Sequence, residues 1–174
     1  MNLLVFSDAH GNSSKMKTAV ARQLMLPLGE RPDYILFLGD GIGAFDELDA
    51  FELLGASLLA VKGNCDSIGA SDIPELRIPT FANYRTVMTH GHRFSVKSGL
   101  EELVSLGVQN RADLVLFGHT HRPVCHTFDA GEQVYGIPLE RPLVLFNPGS
   151  IGYEGSFGTV KLSRDGIFCS HGWV

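Results

Sequence analysis

Short, unbroken apolar runs, each closed within two residues by glycine or aspartate, constrain this chain more than any other feature of its sequence. Leu3–Phe6, Tyr34–Leu38 and Leu58–Val61 are continuous rather than alternating. A strand with one face in water alternates apolar and polar residues, so continuous runs predict strands covered on both faces. Between them, Met16 to Leu26 and Phe45 to Leu54 carry apolar residues at helical spacing, the first started by Ser13 or Ser14 as N-cap. Strand–helix alternation of this kind predicts a parallel sheet covered by helices.

Farther along, Tyr84–Thr89 and Leu114–Phe117 read as strands, with a helix at Leu100–Val108 between them. After Pro123 the helical spacing stops. Val124–Phe128, Gln133–Ile137, Leu143–Phe146, Gly158–Leu162 and Ile167–Ser170 are predicted strands, with Ala130-Gly131 and Arg164-Asp165-Gly166 as turns. The expected architecture is an α/β first part whose sheet packs on a second, partly antiparallel sheet, in one domain spanning residues 1–174.

Composition excludes several function classes. The chain has 174 residues, 44% hydrophobic and 19% charged, so it can bury a core and shows no bias toward disorder. A net charge of -5 lacks the basic face that stable nucleic-acid binding needs. A phosphate-containing substrate stays open, because a bound cation can supply positive charge locally. Cys65, Cys125 and Cys169 form an odd, sparse set without CxxC, and reduced thiols in a cytoplasmic protein are the expectation. Leu3–Phe6 is too short to cross a membrane and lacks the basic lead of a signal peptide.

The polar residues fall at the ends of the predicted strands. Ser7-Asp8-Ala9-His10-Gly11 follows the first, Gly39-Asp40 the second and Gly63-Asn64-Cys65-Asp66 the third; Thr89-His90-Gly91-His92 and Gly118-His119-Thr120-His121 follow the next two. In open α/β sheets the carboxyl ends of the strands line one crevice. Each residue alone has an ordinary explanation: an aspartate after a strand caps a helix, and an asparagine after glycine makes a turn. Five strand ends would each need such an explanation. The joint reading is a metal site built by Asp8, His10, Asp40, Asn64, His90, His119 and His121. Oxygen and imidazole donors suit Mn, Fe, Zn or Ni better than a thiolate site would. Seven donors exceed one tetrahedral ion and suit two ions about 3.5–4 Å apart that share a carboxylate.

Asp8-x-His10, Gly39-Asp40, Gly63-Asn64, His90 and Gly118-His119-x-His121 resemble, in order, the motif set of the calcineurin-like metallophosphoesterases. Asn147-Pro148-Gly149-Ser150 is similar to a stretch common in the small bacterial and archaeal phosphodiesterases of that family. The resemblance implies a four-layer α/β/β/α sandwich with two mixed sheets. It also implies two divalent ions, Mn favoured: Asp8, His10 and His121 holding one, Asn64, His90 and His119 the other, and Asp40 bridging them. The implied activity is hydrolysis of a small phosphodiester by a metal-bridging hydroxide, with Asn64, Cys65 and His90 closest to the chemistry. Phosphomonoester hydrolysis on the same fold is the nearest alternative.

One departure from the pattern concerns Cys65, where many relatives carry a histidine that assists the leaving group. A thiol with an ordinary pKa of about 8.5 is a poor substitute for an imidazolium, so weakly basic leaving groups are favoured. Asp66 and Asn12 are candidates for orienting a ligand histidine or a substrate oxygen, or else simple turn residues. His92 is a lesser candidate for phosphate contact. His126 and His171 read as structural or surface residues, and Phe81, Tyr84 and Phe94 as core. Two rivals are weaker. A scaffold branch of the fold serves in membrane-coat assembly with a degraded metal site, whereas every donor position is filled here. The metallo-β-lactamase class expects Asp-His after His-x-His, and Arg122-Pro123 follows here. An apolar face on the second sheet could serve a homo-oligomer.

Overall fold

Residue parity along the strands sorts this chain into layers. In the computed structural model, which describes residues 1–50, 53–66, 70 and 72–174, β1 (Asn2–Phe6), β2 (Tyr34–Phe37) and β3 (Ser57–Ala60) run parallel. Leu4, Phe6, Ile35, Phe37 and Ala60 pack with Met16, Ala19 and Val20 of α1 (Ser13–Leu24) and with Ile42 and Phe45 of α2 (Ile42–Asp46). The alternate residues Leu3, Val5 and Leu36 face the other way, into a second core. There they meet Met88 of β6 (Tyr84–Thr89), Leu114 and Leu116 of β7 (Leu114–Leu116), and Val144 and Phe146 of β11 (Leu143–Pro148). Val87, Val115 and Leu145, from the same three strands, point outward onto Leu103 and Val104 of α3 (Glu101–Gln109). The order is therefore helices, sheet, sheet, helix. Phe6, Phe37, Phe117 and Phe146 are fully buried, and truncating any one to alanine should cost about 3–5 kcal/mol.

The sheets do not divide the chain into a first and a second half, as its sequence suggested. β12 (Ser156–Ser163) returns to pair antiparallel with β1, and β13 (Gly166–Trp173) forms the edge beyond it, giving the order β13-β12-β1-β2-β3. The other sheet contains the middle of the chain: β4 (Leu76–Arg77), β6, β7, β11 and β8 (Pro123–Phe128), with β5 (Thr80–Phe81) paired to β6. Its centre, β6-β7-β11, is parallel, and only its edges are antiparallel.

Several boundaries differ from expectation for local reasons. α1 is preceded by Asn12 as N-cap, while the Ser13 hydroxyl donates to Glu47 at 2.8 Å, so neither serine caps the helix. The helix expected from Phe45 to Leu54 begins earlier, at Ile42, and tightens into a 3₁₀ turn at Glu47–Ala50; residues 51 and 52 lie outside the described residues. The strand expected over Gln133–Ile137 is two, β9 (Gln133–Val134) and β10 (Ile137–Pro138). Tyr135 and Gly136 between them both have positive φ, 51° and 78°, the requirement of a two-residue type I′ hairpin. Ala82 and Asn83 make the same turn between β5 and β6.

Candidate metal centre

The loops after β1, β2, β3, β6 and β7 meet at one edge of the two-sheet core. Asp8, His10 and His121 place one donor atom each within 4.8 Å of one another, and Asp40, His90 and His119 do the same. Asp40 also groups with His10 and Cys65, which links the two clusters. Six of the seven donors expected from the sequence are thus brought together. Asn64 lies in the turn between Gly63 and Cys65, exposed, with its side-chain amide donating to Cys65 Sγ at 3.3 Å.

Room for the two carboxylates comes from two glycines. A Cβ at Gly63 would lie 2.1 Å from Asp40 Oδ1, and one at Gly118 would lie 1.9 Å from Ser7 Oγ and 3.0 Å from Asp8 Oδ2. No side chain fits either place. Backbone conformation is equally constrained. Among the described residues eleven non-glycine residues have positive φ, and five of them are Asp8, His10, Asp40, His119 and His121. Each such residue costs about 1–2 kcal/mol, a cost that persists where surrounding bonds over-determine the loop. Those bonds run between the loops: Asp8 N to Gly39 O at 2.9 Å, His10 N to Asp40 O at 3.0 Å, Gly118 N to His90 O at 3.1 Å.

Asp66, left between a turn and a supporting role by its sequence context, fastens two of these loops. One carboxylate oxygen accepts Asp40 N at 2.7 Å and Gly63 N at 2.9 Å; the other accepts Gly41 N at 2.7 Å and Ile42 N at 3.0 Å. Asn12 does not reach the centre. Its amide donates to Gly152 O at 3.3 Å and its oxygen accepts from Ser14.

The donor atoms are held with their lone pairs inward. His90 Nδ1 lies 2.7 Å from Leu38 O, which assigns the ring proton to Nδ1 and leaves Nε2 as an acceptor. That Nε2 lies 3.2 Å from Asp40 Oδ2 and 3.2 Å from His119 Nδ1. His10 Nε2 and His121 Nε2 are 3.3 Å apart, and His121 Nε2 is 3.1 Å from Asp8 Oδ1. Asp8 Oδ2 is already taken by Ser7 Oγ at 2.6 Å and His119 N at 3.1 Å, while Asp8 Oδ1 is buried without a hydrogen bond. Converging lone pairs repel one another unless a proton or a cation lies among them. Oxygen and imidazole donors in this number fit a divalent transition metal.

Charges follow from this crowding. Burial pushes the Asp8 carboxyl up, only partly offset by His90, Ser7 and His121. Burial also opposes ionisation of Asp40, but without metal a protonated His90, whose Nε2–H then donates to Asp40, and the Cys65 amide hold it well below the ordinary carboxylate range. Burial works against a charged His90, yet Asp40 and Asp8 raise its pKa. His119 is pushed down to about 4 by burial and by the charge of His90. Burial and the charge of Asp40 raise the Cys65 thiol, which therefore stays protonated at neutral pH.

The chain's later turns close the centre from behind. Asn147 is fully buried; its amide donates to Gly118 O at 2.9 Å and Thr120 Oγ1 at 3.1 Å, holding the His119–His121 loop. Ser150 Oγ donates to Asp8 O at 2.9 Å. His171 lies 2.8 Å from Asn147 O and stacks on Phe146, a structural place, and His126 stacks on Phe128. Phe81, Tyr84 and Phe94 pack into the cores as expected. His92 lies beside His90 and His119, with ring centroids 5.6 and 6.2 Å away. Tyr153 was not anticipated: 64% exposed, it stacks on His121 and tilts against His10, both at 5.2 Å. Nothing in its sequence neighbourhood signals that position, which depends on β12 returning beside β1.

Residues 1–164 match the profile of the calcineurin-like phosphoesterase superfamily domain. The chain belongs to that superfamily. It is 28% identical over 151 residues to the probable metallophosphoesterase YsnB of Bacillus subtilis, covering 87% of this chain and 75% of that protein. To the phosphodiesterase YfcE of Escherichia coli K12 it is 29% identical over 183 residues, covering 91% of this chain and 86% of that one. Wild-type Vps29 of Entamoeba histolytica, solved with Zn2+, superposes with a TM-score of 0.69 at 20% identity over 99% of both chains. The superfamily fold expected from the motifs is the one observed, and a metal-dependent phosphoester hydrolase is the family's chemistry. No helix among the described residues is long and apolar enough to cross a membrane.

Proposed function

We propose that this chain is a dinuclear-metal phosphodiesterase acting on small phosphate esters, with Mn2+ as the favoured ion and Fe, Ni or Zn as competent substitutes. The observation that carries the reading is the pair of three-donor clusters, Asp8–His10–His121 and Asp40–His90–His119, tied together by Asp40. Asn64, beside Gly63 and Asp40, completes the second cluster in this proposal. Two divalent ions there would lower the pKa of water toward neutrality and offset the charge that develops on the phosphoryl oxygens.

The chain's own groups do the rest. Ser7 and the His119 amide fix one oxygen of Asp8, and the Cys65 amide, 2.8 Å from Asp40 Oδ1, fixes that carboxylate. With loops this constrained, the donor set is preorganised, and little rearrangement is needed when charge moves in the reaction. Cys65 is no nucleophile in this scheme, because its thiol is held protonated. It is also a weak acid, so no side chain at that position protonates a strongly basic alkoxide. Esters with weakly basic leaving groups are the expected substrates. The name of the Escherichia coli relative supports a diester over a monoester.

The test is add-back of Mn, Ni, Zn or Mg singly to chelator-stripped protein, with bis-p-nitrophenyl phosphate assayed beside p-nitrophenyl phosphate. Faster turnover of the diester is expected. Preference for the monoester would make the chain a phosphomonoesterase. Hydrolysis of neither ester by protein that still binds metal would move the reading to a protein-binding scaffold.

A further inference from the structure

Beside the candidate centre runs a groove of about 430 Å³ whose polar lining is Lys97, Thr120 and Arg122. Thr120 is the residue between His119 and His121, so the groove adjoins the His-x-His segment. Its apolar wall includes Val96, Phe117 and Val124, and no acidic side chain lines it. Neither Lys97 nor Arg122 has an ion pair or side-chain hydrogen bond among the described residues; the same holds for Lys62, Arg85, Arg111, Lys161 and Arg164, but Lys97 and Arg122 share one groove with no acidic residue in its lining. Two unpaired cations sharing one groove in a chain of net charge -5 need a reason. The ordinary one is solvation of two exposed side chains, but their frame is fixed. The Thr120 hydroxyl accepts Arg122 N at 3.3 Å and is itself held by Asn147 at 3.1 Å, and Lys97 follows the buried Val96. Cations along a low-dielectric wall concentrate anions.

We propose that this groove is a second anion subsite, which takes a phosphate carried by the substrate next to the scissile diester. It rests on the phosphodiesterase reading and narrows it to diesters bearing an additional negative charge. Lys97 and Arg122 then act on specificity through substrate binding and not on the bond-breaking step, so their effect falls in KM and weakens with salt.

The experiment compares thymidine 3′-(p-nitrophenyl phosphate) with its 5′-phosphorylated form, which share the scissile diester and its weakly basic leaving group, in the metal-loaded parent and in the Lys97→Ala/Arg122→Ala double variant. The expected kcat/KM ratio favours the phosphorylated substrate by about tenfold in the parent and falls to about one in the variant. A ratio near one in a parent that hydrolyses bis-p-nitrophenyl phosphate overturns the subsite and leaves the phosphodiesterase reading standing. The second readout needs no turnover. Inorganic phosphate titrated into chelator-stripped protein should shift the backbone amides of Lys97, Thr120 and Arg122 saturably by NMR, and not in the variant. Failure of every ester to turn over counts against the phosphodiesterase reading alone; absence of those phosphate-induced shifts overturns the subsite in either case.

Discussion

Removing the Asp66 carboxylate should loosen the centre without touching any donor to metal. Four backbone N–H groups, from Asp40, Gly41, Ile42 and Gly63, converge on it at 2.7–3.0 Å. A net hydrogen bond contributes about 0.5–1.5 kcal/mol, more when the acceptor is charged and less where solvent reaches the site. Four together give about 4 kcal/mol for Asp66→Ala, which for a chain of this length lowers Tm by roughly 8–16 °C. Asp66→Asn keeps one acceptor oxygen and turns an amide toward the two N–H groups on the other side. It should therefore fall between about 2 and 4 kcal/mol. Urea denaturation of chelator-stripped protein reads the difference as a lower midpoint at unchanged slope. Because Asp66 ties the Asp40 loop to the Gly63-Asn64 turn, metal affinity should also fall by about 10–100-fold, measured by calorimetric titration. A stability loss under about 1 kcal/mol for Asp66→Ala would refute the reasoning, since four satisfied donors cannot be released that cheaply.

Asp40→Asn should cut diester hydrolysis by orders of magnitude while the far-ultraviolet circular dichroism is kept; residual activity above about a tenth of the parent would remove Asp40 from its linking place between the clusters. Cys65→His, which supplies an imidazole where a protonated thiol now stands, should speed turnover of esters with poor leaving groups, read by comparing alkyl and nitrophenyl diesters; no change would show that acid assistance at this position is irrelevant. Tyr153→Ala removes the ring that packs on His10 and His121 and should weaken metal binding by a few-fold with little change in fold, since the side chain is largely exposed. In metal-stripped protein the His119 ring should titrate near 4 by NMR. This depressed value means stability erodes as pH drops from about 6.5 toward 4, and a His119 midpoint at the ordinary value would contradict the crowding described for it.

How much of this was legible beforehand follows from what each signal depends on. Continuous apolar runs fix a buried strand locally, so β1, β2, β3 and β7 sit within a residue or two of their expected places. The donor residues were legible for the same reason: each follows its strand directly, and a parallel strand has only one end at which a crevice can form. Sheet membership was not legible. β12 joins β1 across more than a hundred and fifty residues, and nothing in Gly158–Leu162 says that its partner is the first strand rather than β11. The split of Gln133–Ile137 depends on Tyr135 taking a positive φ, which a tyrosine does not announce. Asp66 was left between a turn and an orienting role, and Asn147 stood out only as part of Asn147-Pro148-Gly149-Ser150; what each one holds depends on loops that approach only in the folded chain. Lys97 and Tyr153 carried no motif at all.

The most direct test of the central claim is metal stoichiometry. Chelator-stripped protein titrated with Mn2+, followed by crystallography with anomalous scattering at the manganese edge, should show two ions per chain. One should lie among Asp8, His10 and His121, the other among Asp40, His90 and His119, with Asp40 reaching both. A single ion, or ions elsewhere, would contradict a dinuclear centre built from these residues.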